Sequence, residues 1–403
     1  MNKHRLRVVS IAHSAVKRSI GRVRYEYLKQ EFPQIDLTLI VPNRWQEYGK
    51  TVVIDPAEDA SNIRLEPIRF PSVPLGGWYL HYYPNLRKIL AELRPDVIHL
   101  WEEPWSLVAL QAMNLRNKLL PHAAMVLETD QNILRKLPFP FETIRRVTLR
   151  QADLLIGRQE ESLQVSRQTG FSGPGAIVEY GVDQTIFSPG EPGFKRPNAF
   201  ALGYVGRLVP EKGLHDVLGA MAHANCHMPA DKLVSLYILG DGPEHDELMA
   251  QAAGLGLAGQ LHFLPSRPPH EVAAFMRNLD VLVLMSRTTP TWKEQFGRVI
   301  MEAQACGTPV IGSSSGSIPG VVGSGGWIVA EGDVGALATV ISRLAKDPQE
   351  VAKARQAGIS QAEQRFSFVT VARALGEALT TAYEHRHATL MQGANVLSEH
   401  LVV

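Results

Sequence analysis

The stretch Glu294-Gln-Phe-Gly-Arg-Val-Ile-Met-Glu302 sets two carboxylates with seven residues between them. An apolar run, Val281-Leu-Val-Leu-Met285, and a Ser/Thr/Pro stretch ending at Trp292 precede it. Ala303-Gln-Ala-Cys-Gly307 follows and leads into Thr308-Pro-Val-Ile311. That order reads as strand, loop, short helix, glycine stop and next strand. Eight residues of helix rise about 12 Å, so the two carboxylates cannot share one proton or one metal ion. They can address two ends of an elongated ligand, with the amides of Gly297, Arg298 and Val299 at the helix start between them. Amides in that position attract phosphate oxygens. Hydroxyls at each end and a diphosphate in the middle describe a nucleotide sugar.

A bare pair of glutamates at this spacing is more often the surface of an amphipathic helix. Here Phe296-Gly297 after the first Glu, Ala303 and Cys306-Gly307 after the second, and the strand in front make a more specific pattern. The stretch resembles the Glu-x7-Glu signature of retaining family 4 glycosyltransferases, which have the B-type fold of two Rossmann-like domains facing a central cleft. The resemblance is strong over residues 200–350 and weaker before them.

The bulk composition fits that size and class. At 403 residues the chain has room for two ordinary domains. Hydrophobic residues make up 45% and charged ones 20%, the balance of a globular protein with an ample core. Lys plus Arg is 41 against 40 for Asp plus Glu, so a net charge of +1 argues against a nucleic-acid partner. With only Cys226 and Cys306, neither a disulfide framework nor a zinc cluster is expected, and a cytoplasmic location fits. No apolar run reaches the 18 residues of a membrane span. The basic start leads directly into Val8-Val-Ser-Ile11, which is too short for the core of a signal peptide.

Both halves alternate apolar runs with amphipathic segments, as a parallel sheet with crossover helices does. The first half predicts strands at 7–12, 37–41, 97–100, 124–127, 154–156 and 176–178. Its predicted helices are 21–31, 82–92, 105–117, 141–150 and 160–168. The second half predicts strands at 201–205, 235–239, 261–263, 281–284, 310–312 and 326–329, with helices at 214–222, 244–253, 269–278, 297–305 and 334–346. Phe187-Ser-Pro-Gly-Glu-Pro-Gly193 reads as the linker. The expected division is therefore an acceptor-side domain at 1–190 and a nucleotide-sugar domain at 191–365. At 366–403 the resemblance implies a helix over 369–383 crossing back to the first domain, followed by a tail without a structural signal. Ligands of such sheets bind at the carboxyl ends of the strands.

Gly203-Tyr-Val-Gly-Arg207-Leu-Val-Pro-Glu-Lys212-Gly213 matches the Gly-Arg-Leu-x-x-Glu-Lys-Gly element of the same family. Guanidinium binds phosphate bidentately and ammonium acts as a point charge. Arg207 and Lys212 are thus the residues to stabilise the departing diphosphate. Leu239-Gly-Asp-Gly-Pro243 matches the Gly-x-Gly-Pro turn, with Gly240 and Gly242 setting backbone geometry. Gly240 is kept as a donor-site candidate. The resemblance assigns Glu294 to the donor sugar's hydroxyls and the anomeric carbon, and Glu302 to the ribose. Phe296, Gly297, Arg298 and Val299 complete the donor set. The His262–Pro265 segment lies where relatives pass the base.

Three departures from the family stand out. Gly21 is alone where relatives carry a Gly-Gly pair, and it remains a donor-site candidate, with His13 nearby as either a cleft or a structural residue. Gly320 replaces the acid that commonly ends the Ser315–Pro319 loop. Where many relatives have a His after the strand at 124–127, this chain reads Glu128-Thr-Asp130-Gln131-Asn132. Asp130 is the candidate for the polar role near the anomeric centre, with Gln131 or Asn132 on sugar or acceptor hydroxyls. The bland reading of that segment is an Asx turn.

The function these residues imply is a retaining glycosyltransferase moving a sugar from a nucleotide diphosphate sugar, its co-substrate, to a saccharide, lipid-linked or small-molecule acceptor, with no cofactor and no metal. In the front-face mechanism proposed for the family, a leaving phosphate oxygen takes the acceptor's proton, so Glu294 is not read as a nucleophile despite the carboxylates of glycoside hydrolases. An epimerase or phosphorylase on the same fold, or a non-catalytic nucleotide-sugar-binding protein, stays open. Trp78, Tyr79, Tyr82, Tyr83, Trp101 and Trp105 suggest a surface for a glycan or lipid-linked acceptor, with some of them core. Lys17, Arg18, Arg22 and Arg24, with Arg145, Arg146 and Arg150, suggest peripheral docking on the inner face of an anionic membrane.

Overall fold

The chain's structure, a computed structural model, describes residues 5–47, 50–54, 63–71, 77–191, 200–226, 228–229 and 233–399. It divides into two compact units, Met1–Glu179 with Phe368–Val403, and Tyr180–Ser367. The change of unit falls at Tyr180, ahead of the Pro/Gly stretch expected as the linker, part of which (192–193) lies outside the described residues.

Unit 1 carries β1 (Leu6–Ile11), β2 (Ile35–Pro42), β3 (Arg44–Glu47), β4 (Lys50–Val53), β5 (Ile63–Glu66), β6 (Val97–Leu100), β7 (Ala124–Thr129), β8 (Leu154–Gly157) and β9 (Gly175–Ile177). Seven of them form one parallel sheet in the order β5-β2-β1-β6-β7-β8-β9. β6, β7 and β8 are buried along their whole length, which is why they read as continuous apolar runs rather than alternating ones. Helices α1 (Val23–Glu31), α2 (Leu86–Leu93), α3 (Leu107–Leu119), α4 (Phe141–Gln151) and α5 (Glu160–Gln168) connect them. β3 and β4 form a separate antiparallel hairpin that the sequence did not announce, since Arg44-Trp-Gln-Glu47 has no alternating apolar face.

Unit 2 holds β10 (Phe200–Val205), β11 (Val234–Leu239), β12 (Leu261–Leu264), β13 (Val281–Leu284), β14 (Val310–Ser313) and β15 (Gly326–Val329) in the order β12-β11-β10-β13-β14-β15, all parallel. That order is the doubly wound Rossmann arrangement, with the switch point beside the first strand of the unit. Its helices are α6 (Leu214–Asn225), α7 (His245–Gly254), α8 (Pro269–Arg277), α9 (Arg298–Ala305), α10 (Ile318–Val322), α11 (Val334–Lys346) and α12 (Pro348–Arg365). α12 is mostly polar, so periodicity hid it. Its local signal was the start, where Asp347 accepts from the Gln349 and Glu350 amides ahead of Pro348 at the first helical position.

The final helix, α13 (Phe368–Glu399), is longer than expected and corrects the reading of a structureless tail. It belongs to unit 1: Phe368 stacks on Tyr27 at 5.9 Å, Arg373 pairs with Glu31 at 2.7 Å, and Arg386 reaches the Pro121 carbonyl. None of the helices among the described residues is long and apolar enough to cross a membrane.

Candidate functional site

In unit 2 the site is built where strands end. β10 runs out into Gly206-Arg207, and β11 into Gly240-Asp241-Gly242. These two turns interlock: the Leu208 amide donates to the Asp241 carbonyl at 2.9 Å, and a Cβ on Gly240 would lie 1.9 Å from the Gly206 oxygen. Gly240 therefore serves backbone approach, the geometric role read from the turn. The chain then makes a short 3-10 turn, Pro210–Lys212, and Gly213 starts α6 at φ 67. A Cβ on Gly213 would come within 2.0 Å of the Met285 carbonyl oxygen, so this left-handed position holds Lys212 against the end of β13.

Lys212 and Glu294 meet. Lys212 Nζ donates to Glu294 Oε2 at 2.6 Å, and Ser286 Oγ donates to the same oxygen at 2.8 Å. The side chains are 19% and 11% exposed, so the pair is well shielded from water. The Lys212 ammonium also lies 4.9 Å from the centre of the Trp292 ring, a cation–π distance. Burial and the charge of Glu294 push the nearby Tyr204 hydroxyl well above the usual phenol range, so it stays a donor, and it bonds the Arg207 carbonyl at 2.7 Å. Arg207 itself is exposed.

The expected helix begins at Arg298, one residue later than its sequence suggests, because Gly297 is its left-handed cap at φ 77. No side chain caps this helix start, which leaves the first-turn amides, those of Arg298 and Val299 among them, as anion-binding groups. Phe296 sends its ring into the core, 5.2 Å from Tyr180 and 6.0 Å from Phe366, so its side chain is an anchor rather than a ligand contact. Glu302 lies one turn into α9. Burial raises its carboxyl, partly offset by Arg298 at 3.9 Å.

Unit 1 holds Gly21 and Asp130. Gly21 is pressed against Ser14 and Ala15, where a Cβ would lie 2.5 Å from the Ala15 Cα, so close packing inside its own turn already accounts for the glycine. Asp130 accepts from Arg158 Nε at 2.9 Å and its amide donates to Glu103 at 3.0 Å. Thr129 and Gln131 make side-chain turns at this place, accepting from the Gln131 and Ile133 amides.

Around Asp130 lies a polar network at the carboxyl edge of the sheet that sequence reading missed. Glu128, buried, takes bonds from Arg24 at 2.8 Å, from Arg158, and from His99 at 2.9 Å. Burial alone would raise its carboxyl, but Arg158 and Arg24 outweigh burial and hold it well below the usual carboxylate range. His99 is kept neutral by burial, so its Nε2–H donates to Glu128 and its Nδ1 accepts from Ser10 Oγ at 2.5 Å. The Arg24 guanidinium carbon also lies over Trp101, 3.5 Å from the ring centre. Glu103, beside it, is pushed up to about 8 by burial and by the charge of Asp130.

Burial narrows the basic surface suggested for membrane docking to Lys17, Arg18, Arg146 and Arg150. Arg22, Arg24 and Arg145 are buried, at 3%, 3% and 4% exposure. Arg18 pairs with Glu26, and Arg145 and Arg146 both pair with Glu142. Of the aromatic residues, Tyr83, Trp101 and Trp105 are core and Trp78 is exposed. His13 is held by Glu102, which accepts from its amide at 2.8 Å and from Nδ1 at 2.7 Å. Glu102 also has His81 Nε2 at 3.7 Å; burial opposes ionisation, but the two histidines bring its carboxyl down to about 2. Among the described residues His215, Glu244 and Glu247 come together in a way that could hold a metal, yet both His215 nitrogens already bond Gln251 and Glu244.

Residues 191–364 match the family described as glycosyl transferases group 1. A GDP-mannose-dependent alpha-(1-6)-phosphatidylinositol monomannoside mannosyltransferase of Mycolicibacterium smegmatis is 32% identical over 237 residues, 55% of this chain and 61% of that one. A D-inositol 3-phosphate glycosyltransferase of Segniliparus rotundus is 31% identical over 208 residues, 49% of this chain and 45% of that one. The chain thus aligns with about half to three fifths of the length of these relatives. Among solved structures, HepE of Anabaena in complex with UDP superposes with a TM-score of 0.69 at 20% identity, covering 93% of this chain and all of that one. The apo lipopolysaccharide outer core galactosyltransferase WaaB gives 0.68 at 19%, covering 93% and 99%. These two likenesses establish the fold, the B-type pair of Rossmann-like domains.

Proposed function

We propose that this chain, a member of the glycosyl transferases group 1 family, moves a sugar with retention from a nucleotide diphosphate sugar to a saccharide or lipid-linked acceptor. The observation that carries the reading is the 2.6 Å contact of Lys212 with Glu294, made beside the uncapped start of α9. A cation and a carboxylate in contact suit the two sides of the bond that breaks. Negative charge grows on the leaving diphosphate and positive charge on the anomeric carbon, and fixed charges on each side favour the transition state over the ground state. In this reading Lys212 and Arg207 bind the diphosphate in place of a metal, with the Arg298 and Val299 amides on its oxygens. Glu294 takes the sugar's hydroxyls, and Glu302, one turn along, takes the ribose.

The names of the relatives favour a hexose donor and a polyol or lipid headgroup acceptor, and a cytoplasmic enzyme would suit them. Thermal shift against UDP-, GDP- and ADP-sugars tests the donor. A ligand at a hundredfold its dissociation constant adds about 2.7 kcal/mol of stability, so one base series should raise the melting point clearly. No shift with any of the three would refute the reading. The anomeric proton coupling of the product then reports whether configuration is retained.

A further inference from the structure

In unit 2 the first turns of α6 and α7 meet. His215 is the second residue of α6, and Glu244 caps α7 ahead of Glu247 and Gln251. Residues spaced by three and four along a helix are neighbours on one face, so Glu244, Glu247 and Gln251 form a single stripe. His215 sits against that stripe, with Nε2 2.8 Å from Glu244 Oε2 and Nδ1 2.5 Å from Gln251 Oε1. Among the described residues, one ligating atom each from His215, Glu244 and Glu247 lies within 4.8 Å of the other two.

Gln251 fixes which ring nitrogen carries hydrogen. Its amide nitrogen donates to the His215 main-chain carbonyl at 3.1 Å, which turns its Oε1, an acceptor, toward Nδ1. Nδ1 therefore holds the hydrogen, and Nε2 of the neutral ring is a lone pair. A neutral ring cannot make both bonds, because that lone pair faces a carboxylate oxygen with no hydrogen between them. The arrangement needs a positive ion beside Nε2. A proton there serves Glu244 alone, whereas a divalent ion uses Glu244 and Glu247 together.

One imidazole nitrogen and two carboxylates are a ligand set that Zn²⁺ takes at about 2.0–2.2 Å, with water completing the shell. Tetrahedral ligands at that radius stand about 3.3 Å apart, so Glu244 moves little, and Glu247, which is exposed, is at liberty to turn in. A ligating histidine whose other nitrogen donates to a protein oxygen is the ordinary support of such a centre. The geometry points to a binding site for a divalent transition-metal ion of the Zn²⁺ type at His215 Nε2, Glu244 and Glu247, with Gln251 holding the ring. The ion takes no part in the transfer reading, where Arg207 and Lys212 serve the diphosphate, and the inference does not depend on that reading. Its role is a clamp. The Glu244 amide donates to the Leu208 carbonyl at 3.2 Å, and His215 stands two residues after Gly213, so joining α6 to α7 ties together the turns that carry Arg207, Lys212 and Gly240.

Calorimetric titration of Zn²⁺ into the full chain, stripped beforehand with EDTA, tests the site. Cys226 is exposed and could itself bind zinc, so Cys226→Ser is the background of every protein compared. The background protein should show one tight phase, and Zn²⁺ should raise its melting temperature. Adding Gln251→Leu should weaken that phase about 10–100-fold, the effect of removing a bond that supports a ligand. His215→Ala and Glu247→Gln should weaken it at least as much, each variant being checked for a native melting transition in EDTA. Glu247→Gln separates metal ion from proton, since an imidazolium bonded to Glu244 does not need Glu247. No tight phase in the background protein, or an undiminished affinity in any of the three variants, overturns the proposal.

Discussion

Replacing Lys212 and Glu294 singly and together asks whether the two act as one unit. Glu294 Oε2 accepts from the Lys212 ammonium at 2.6 Å and from the Ser286 hydroxyl at 2.8 Å, and the Lys212 and Glu294 side chains are largely shielded. Lys212→Ala removes the charged one of these two donors and takes the cation from the phosphate side. Loss of one preorganised charge-stabilising group costs about 10²–10³ in turnover, or about 2.7–4 kcal/mol. Were the residues independent, the double variant would lose the product of two such factors, about 10⁴–10⁶. In contact, they should couple: Glu294→Ala on top of Lys212→Ala should cost about tenfold or less, a coupling of roughly 1.4–3 kcal/mol. Single-turnover donor cleavage in the four proteins, each checked for a native melting transition, measures it. Additivity within about 0.5 kcal/mol would refute the reasoning.

Three further outcomes follow from the same geometry. Glu302→Ala should weaken nucleoside diphosphate binding by calorimetry, while Glu294→Ala keeps it and loses turnover; equal affinity losses would end the division between ribose and sugar ends. Gly213→Ala forces a Cβ to 2.0 Å from the Met285 oxygen at φ 67, so its urea midpoint should fall by the equivalent of about 2 kcal/mol, and a change below about 0.5 kcal/mol would contradict the packing. Glu103, pushed up to about 8, holds a proton in the native state that the unfolded chain has already released. Its contribution is therefore full below the ordinary carboxylate range and is lost as pH rises through about 8. Glu103→Gln should flatten that alkaline decline in urea titrations at pH 5.5 and 8.5, and an unchanged slope would exclude Glu103 as its source.

The sequence by itself determined the alternation of strands and helices and the motif-bearing turns of unit 2. Strands such as Val281–Leu284 are buried on both faces and so must be apolar throughout, and Gly213 and Glu294 belong to turns whose geometry is settled within a few residues. Local rules suffice there. Only the tertiary structure decided that Lys212 and Glu294, 82 positions apart, touch. It also decided the meaning of the arginines in unit 1. Arg24 and Glu128 are 104 positions apart, and Ser10 and His99 are 89 apart, so neither sequence neighbourhood shows its partner. A lone arginine reads as a solvated cation unless a distant strand brings a carboxylate to it, since burying it unpaired would cost too much. Parallel sheet assembly brings them together, because it sets the carboxyl ends of strands from remote parts of the chain side by side.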